Sequence, residues 1–156
     1  MLKELIGMPE GILKDLHEDH QEISRLIDQL LEVGEGRTPL FKEINSKLLA
    51  HAQAEQNVLY RKMEKSDDEK TRSFAYEGDT EHRIVEQHLE QMSRARNKAS
   101  EQWTAQATVL RELINHHVKE EEGAGVSCAS HEFDSVALEK LGEQFRRQKE
   151  KLLTEV

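Results

Sequence analysis

The chain has 156 residues, a length that fits one domain, and it combines 36% hydrophobic with 34% charged residues. Its formal net charge of −9 argues against nucleic acid and anionic membrane surfaces as partners. The N-terminal sequence lacks a long apolar segment, and no apolar run could span a bilayer, so a cytoplasmic location is expected. The single cysteine, Cys128, excludes an internal disulfide and fits a reducing compartment.

Helix-forming residues dominate, and the chain has only two prolines and no long β-branched run, which predicts an all-α protein. We expect one domain over residues 1–156, with an antiparallel four-helix bundle over about 10–122. An additional C-terminal helix is expected at about 134–154, packed outside the bundle.

A short amphipathic lead-in, residues 1–10, precedes the first predicted helix, at about 10–33. Apolar residues of this helix recur three or four residues apart only if His20 joins their seam. The other seam residues are Leu13, Leu16, Ile23, Ile27 and Leu30. The spacing therefore predicts that His20 points into the core.

The second predicted helix begins at Pro39, with Thr38 as its N-cap, and ends near Lys65. Its seam places His51 and Glu55 at positions that the pattern reserves for apolar residues. Because four residues of an α-helix nearly complete a turn, the two side chains would project from one face, about 6 Å apart along the axis. An imidazole and a carboxylate are thereby aimed at one target of the size of a metal ion.

The same spacing occurs twice more. A third predicted helix, at about 68–98 with a disturbance at Gly78, carries His82 and Glu86. A fourth, at about 101–122 and capped by Ser100, carries His117 and Glu121. The seam favours this last pair over the neighbouring pair of His116 and Glu120, which remains an alternative.

Several other polar residues receive less specific interpretations. The segment 123–130 is predicted to be a loop, in which Cys128 is an incidental or oxidant-sensing thiol. Tyr60 could border the site, although bundle packing is the preferred interpretation. Glu120 and Glu122 are expected to belong to a solvated charge run. The histidines expected at the surface or behind the ligands are His17, His88, His116 and His131.

Seven side chains of types that bind metals are thus predicted to point inward. They are His20, His51, Glu55, His82, Glu86, His117 and Glu121. Burying so many polar groups without partners would cost several kcal/mol each, and a pair of divalent or trivalent cations would satisfy them. Mixed nitrogen and oxygen ligation suits iron or manganese better than a closed zinc site. Glu86 fits a solvent-exposed position equally well.

Four segments, LHEDHQEI, HAQAEQNVLY, TEHRIVEQHL and LINHHVKEEEG, resemble the hemerythrin-like HHE cation-binding family over about residues 11–122. The resemblance implies an up-down-up-down bundle that holds two iron ions, Fe2+ or Fe3+, with an oxo or hydroxo bridge; manganese and zinc are less favoured. By the same resemblance, Glu55 and Glu121 would bridge the ions. His20 and His51 would bind one ion, and His82 and His117 the other.

The chain departs from the oxygen carriers of that family at Glu86, where the carriers have a second histidine. An additional anionic ligand would stabilise the ferric state, which argues against reversible oxygen carriage and favours sensing, peroxide or nitric oxide chemistry, or iron handling. A second departure follows the fourth helix, where Gly123, Ala124 and Gly125 replace an aromatic–proline pair of many relatives.

Three functions fit these residues. The first is a non-heme di-iron protein that interacts with O2, H2O2 or NO as a sensor, scavenger or store. The second is a di-iron enzyme with peroxide-dismutating or oxidase activity. The third is a metal-free helical interaction module, in which the core histidines bond to neighbouring carboxylates. The sequence leaves open whether the protein is an enzyme and what its oligomeric state is.

Overall fold

The computed structural model describes residues 9–155, so most of the lead-in expected at 1–10 lies outside the described residues. Five helices follow one another within these described residues. They are α1 (Ile12–Glu32); α2 (Arg37–Glu55, then a π-helical segment Gln56–Tyr60 and an α-helical turn Arg61–Met63); α3 (Glu69–Arg94); α4 (Glu101–Glu120, then a π-helical segment Glu121–Gly125 and an α-helical part Val126–Glu132); and α5 (Ser135–Thr154). The prediction of an all-α bundle is confirmed.

Helices α1 to α4 form the antiparallel bundle, and their boundaries follow local chemistry. Ser100 caps α4 as predicted, because its side chain accepts a hydrogen bond from the Trp103 amide. Asp68 caps α3 in the same way through the Thr71 amide. The second helix begins at Arg37, two residues before the expected Pro39, and Thr38 is not its N-cap.

The loop predicted at 123–130 is wrong, because α4 continues through this segment to Glu132. Two glycines and two serines suggested a loop, but one of the glycines, Gly125, serves helix packing. A side chain at Gly125 would place its Cβ atom 2.5 Å from the Phe74 ring. The glycine therefore lets α4 approach α3 closely while remaining helical.

The fifth helix lies outside the four-helix bundle, against α1 and α2. Its inward face is buried through Leu138, Leu141 and Phe145, and Phe145 is completely inaccessible to solvent. This helix covers the groove between α1 and α2, and its Phe145 side chain extends into the interior of the protein.

Two apolar clusters fill the interior. The four-helix cluster comprises Ile23, Leu26, Ile27, Leu30, Phe41, Ile44, Leu48, Val85, Leu89, Met92, Trp103, Ala107, Leu110 and Ile114. The five-helix cluster comprises Ile12, Leu13, Leu16, Ala54, Val58, Leu59, Tyr60, Met63, Phe74, Ala75, Ala129, Leu138, Leu141 and Phe145. Along the bundle helices, all of the predicted metal ligands except Glu86 fall at the junction of the two clusters, so a polar layer separates the clusters.

Over residues 9–155, every helix is too short or too polar to cross a lipid bilayer.

Candidate metal centre

Six of the seven predicted ligands meet in the polar layer and divide into two groups. His20, His51 and Glu121 form the first group, and Glu55, His82 and His117 form the second. Within each group, one potential ligand atom of every residue lies within 4.8 Å of the others. The groups contain the same histidine pairs that the family resemblance assigns to each ion.

Short distances join the imidazole Nε2 atoms to the carboxylates. His20 Nε2 lies 3.1 Å from Glu121 Oε1, and His82 Nε2 lies 3.0 Å from Glu55 Oε1. Two atoms bound to one cation at right angles, each about 2.1 Å from it, would lie about 3.0 Å apart. The spacing within each group therefore fits ligands that converge on a common ion.

Each of the two carboxylates also contacts the other group. The Oε2 atom of Glu121 lies 3.3 Å from His117 Nε2, whereas its Oε1 atom faces His20. Glu55 Oε1 lies 3.8 Å from His51 Nε2. Both carboxylates are thus positioned between the groups, where a carboxylate can contact two cations.

These ligand atoms are buried and, despite the short distances between them, their geometry gives them no hydrogen bond among the described residues. They are the Nε2 atoms of the four histidines, both carboxylate oxygens of Glu55, and Glu121 Oε1. Such atoms are costly to bury unless something pairs with them. A pair of cations would engage all of them, so the residues present fit a two-metal centre.

The structure separates the remaining candidates from this layer. Glu86 is exposed and belongs to neither group, although it lines a surface cleft beside His82. The side chain of His116 is 65% exposed, whereas that of His117 is 7% exposed. Of the two neighbouring histidines, only His117 faces the layer.

Three further carboxylates hold the outer nitrogens of ligand histidines. Asp19 Oδ2 lies 2.8 Å from His51 Nδ1, and Glu81 Oε1 lies 3.1 Å from His117 Nδ1. A carboxylate that accepts the Nδ1 proton leaves Nε2 free to bind a metal, and it fixes the orientation of the ring.

The third carboxylate is Glu122, whose Oε2 atom lies 3.2 Å from His20 Nδ1. Its other oxygen pairs with His17, so the predicted solvated charge run is wrong for this residue. The helical spacing did not predict this role for any of the three carboxylates. They share one signal: each is the chain neighbour of a ligand and supports a ligand of a different helix.

Tyr60 packs in the five-helix cluster, as the preferred interpretation predicted, and it also borders the site. Its hydroxyl donates a hydrogen bond to Glu121 Oε2, and its ring stacks on His82 with 5.2 Å between centroids. In an α-helix, Tyr60 would point about 140° away from Glu55. The π-helical segment Gln56–Tyr60 widens the helix so that residues five apart align, which brings Tyr60 to the layer.

Gly78 leaves room for Tyr60. The helix α3 runs through Gly78 without a break, so the predicted disturbance there is wrong. A Cβ atom at this position would lie 2.6 Å from the Tyr60 ring. The glycine is explained by the aromatic ring that packs against it.

The electrostatics of the layer favour cations. Burial by itself lowers the pKa of His117, but the nearby carboxylates of Glu121, Glu55 and Glu81 raise that pKa well above 6.5. Burial and the negative charges of Glu121 and Glu55 raise the pKa of Tyr60, which therefore remains a neutral donor. The negative potential that holds a proton on His117 would also attract a metal ion.

A small enclosed cavity adjoins the layer on the side of the four-helix cluster. Its volume is about 20 Å³, which suffices for about one water molecule. The residues that line it are the four ligand histidines with Ile23, Leu48, Ala52, Val85, Ile114 and Val118. A cleft of about 360 Å³ between α2 and α3 shares Leu48, Ala52, His82 and Val85 with this cavity.

Comparison with known proteins agrees with this geometry. The hemerythrin HHE cation-binding domain family matches residues 11–124. A curated protein described as a DNA nickase, from Nostoc sp. (strain PCC 7120 / SAG 25.82 / UTEX 2576), is 27% identical over 141 residues. That match covers 86% of this chain but only 38% of the nickase. No solved structure matches significantly. The chain belongs to the hemerythrin HHE cation-binding domain family.

Proposed function

We propose that this chain binds two iron ions in the polar layer and that the centre interacts with O2, H2O2 or NO, as a sensor, scavenger or store. The observation that carries the proposal is the set of buried, unpartnered ligand atoms on His20, His51, His82, His117, Glu55 and Glu121. Their burial is costly without a cation, and their grouping supplies two sites.

The donor set favours iron. Each group contains two histidines and one carboxylate, an arrangement typical of non-heme Fe(II) sites with open coordination positions. Carboxylates shared between the groups would raise the ligand number above the four of a closed tetrahedral zinc site. Bound iron would supply reversible electron transfer and open positions for a small oxidant or for NO.

The residues of the chain prepare the layer for these ions. Asp19, Glu81 and Glu122 hold the Nδ1 atoms of three ligand histidines, and Tyr60 donates a hydrogen bond to Glu121. With Glu55 and Glu121, the layer holds five carboxylates, and the Lys149 ammonium offsets one of them. Two divalent cations would neutralise the remaining charge.

The cavity beside the ligand histidines limits the size of the small molecule that could meet the metal ions. Its volume of about 20 Å³ has room for about one water molecule, so a ligand there is limited to a few atoms, as O2, NO and H2O2 are. Its other walls are aliphatic, so they offer no hydrogen bonds to a larger polar substrate. The cleft between α2 and α3 provides a route from solvent to the wall formed by Ala52 and Val85.

Metal analysis tests the proposal, with Glu55→Ala and Glu86→Ala as a matched pair. We expect about two irons per wild-type chain after anaerobic reconstitution, with charge-transfer bands in the near ultraviolet. Glu55→Ala should lose most of this iron, because it removes a buried carboxylate between the groups. Glu86→Ala should keep both ions, because Glu86 is exposed and belongs to neither group.

Absence of iron from the reconstituted wild-type protein would contradict the proposal. Loss of iron in Glu86→Ala would instead indicate that Glu86 is a metal ligand. The enzyme alternative is tested by H2O2 turnover in the iron-loaded protein, and turnover that Glu55→Ala abolishes would favour it over sensing or storage.

We do not extend DNA cleavage to this chain. The similar nickase is much longer, and the match covers 38% of it. The net charge of −9 also opposes tight association with a polyanion.

A further inference from the structure

Helix α5 contacts the polar layer, although it lies beyond residue 124, where the family match ends. The ring of Phe145 packs edge-on against His51, with 5.6 Å between the centroids and an angle of 81° between the planes. Because Phe145 is fully buried, it shields this side of His51 from water.

A second contact from α5 passes through Asp19. The Lys149 ammonium donates a hydrogen bond to Asp19 Oδ1 over 2.6 Å, while Asp19 Oδ2 lies 2.8 Å from His51 Nδ1. Asp19 is 8% exposed, so both of its oxygens are engaged in a mostly buried position. The three residues form a continuous chain from α5 through α1 to a ligand on α2.

The chain is unlike the contacts of the other two supporting carboxylates. Glu122 is shared with His17 and Glu81 with His116, and both of these histidines are substantially exposed at the surface. Asp19 is instead paired with a lysine whose ammonium also lies 5.6 Å from the Phe145 ring centroid. The hydrogen bond from Lys149 restricts Asp19 to the orientation that meets His51.

We propose that Lys149 is a positioning residue of the metal centre: through Asp19 it holds the Nδ1 proton of His51 outward and aims Nε2 at the group with His20 and Glu121. The inference rests on the proposed metal-binding function. A neutral imidazole carries one N–H, so a carboxylate fixed at Nδ1 leaves the Nε2 lone pair for a cation. Without Lys149, Asp19 could turn toward solvent and release the ring.

The two metal groups are then unequal. Both histidines of the first group have carboxylate partners at Nδ1, from Asp19 and Glu122. In the second group, the Nδ1 atom of His82 is buried without a hydrogen-bond partner among residues 9–155. The group that contains His51 therefore binds its cation more tightly and fills first.

An anaerobic Fe(II) titration of the full chain, with a competing chelator, tests the proposal. We expect two binding steps in the wild-type protein. Lys149→Met should weaken the tighter step about 10–100-fold, which is the usual cost of losing a residue that supports a ligand. Lys149→Arg should restore most of the affinity, because it keeps a cation within reach of Asp19.

Arg146→Met supplies the matched control. Arg146 donates to Asp15 over 2.6 Å, which makes a second salt bridge between α5 and α1 that touches no ligand. We expect this variant to leave both binding steps unchanged. Equal weakening of iron binding by Arg146→Met and Lys149→Met would overturn the proposal. The effect would then come from the docking of α5 and not from the contact between Lys149 and Asp19.

Ring-nitrogen NMR of the metal-free protein in alkaline buffer provides a readout that does not depend on iron. We expect His51 to carry its proton on Nδ1 in the wild-type protein and to populate both tautomers in Lys149→Met. An unchanged His51 tautomer in Lys149→Met would overturn the positioning role, even if iron binds. A wild-type protein that binds no iron would instead overturn the proposed function, and the tautomer would still decide the role of Lys149.

Discussion

The two apolar clusters differ in what they present to the polar layer between them. The four-helix cluster contributes aliphatic residues, including Ile23 and Val85, which leave a small cavity beside the ligand histidines. The five-helix cluster instead contributes Tyr60, which bonds to Glu121, and Phe145, which packs on His51. One cluster leaves room for a small molecule, whereas the other holds the ligands in place, so damage to the two clusters should have different consequences.

The largest expected effect comes from truncating one phenylalanine in each cluster. Phe145→Ala and Phe41→Ala should each lower the free energy of unfolding by about 3–5 kcal/mol, because both rings are buried. Only Phe145→Ala should also weaken iron binding, since only Phe145 contacts a ligand. Urea denaturation of the metal-free protein and chelator competition measure the two effects. Equal weakening of iron binding by Phe41→Ala would remove the distinction between the clusters.

Tyr60→Phe should have the next largest effect. Removal of the hydroxyl eliminates its hydrogen bond to the Glu121 carboxylate. This should lower the free energy of unfolding of the metal-free protein by about 1.5–3 kcal/mol. The cost should fall in the iron-loaded protein, where cations engage the same carboxylate. Thermal unfolding of both forms tests this, with Tyr76→Phe as the control because Tyr76 is 55% exposed. A cost that is identical with and without iron would contradict a contact between Glu121 and the ions.

A change of pH should affect the polar layer through the protonation of His117. The pKa of His117 is raised in the folded protein, so its contribution to metal-free stability is complete below about pH 6.5 and disappears as the pH rises through the raised value. Iron affinity should change in the opposite direction, by roughly tenfold per pH unit for each proton released. Denaturation and iron titrations across this range measure both quantities. A parallel rise of both would contradict the role of His117 as a ligand.

Substitutions at two glycines should have the smallest effects on the free energy of unfolding, and the two effects should differ in sign. Gly78→Ala would crowd Tyr60, at an overpacking cost of about 1–3 kcal/mol that is offset by roughly 1 kcal/mol of helix propensity. Gly123→Ala meets no atom of the described residues within 4 Å and should stabilise the protein by up to about 1 kcal/mol. Chemical denaturation measures both variants. Destabilisation by Gly123→Ala would show that the π-helical segment needs the glycine for another reason.

The sequence predicted the four-helix cluster better than the five-helix cluster, for a physical reason. A regular α-helix repeats its buried face every three or four residues, so the seam identified the core and predicted an inward His20 from a polar interruption. The π-helical segments break that period. The regular spacing consequently gave no reason to place Tyr60 beside Glu121.

The supporting carboxylates could not be predicted from the sequence, for a different reason. Asp19 and His51 are 32 residues apart, and Asp19 and Lys149 are 130 residues apart. The periodicity of one helix reports which of its own residues face inward, but it contains no information on which residue of another helix they meet. The contacts that orient the ligands depend on how the helices dock against one another, and only the assembled structure defines this docking.

The π-helical segment after Glu55 has a consequence for the history of the chain. A π-helical turn is equivalent to an α-helix that has accepted one additional residue without losing its overall path. If the same residues formed an ordinary α-helix without this widening, everything downstream of Glu55 would be rotated by about 100°. Tyr60 and Met63 would then leave the interior together. Deletion of one residue within this segment should instead restore an ordinary α-helix and keep the downstream residues on their present faces. Relatives that are one residue shorter here could therefore bury the same side chains in a regular helix.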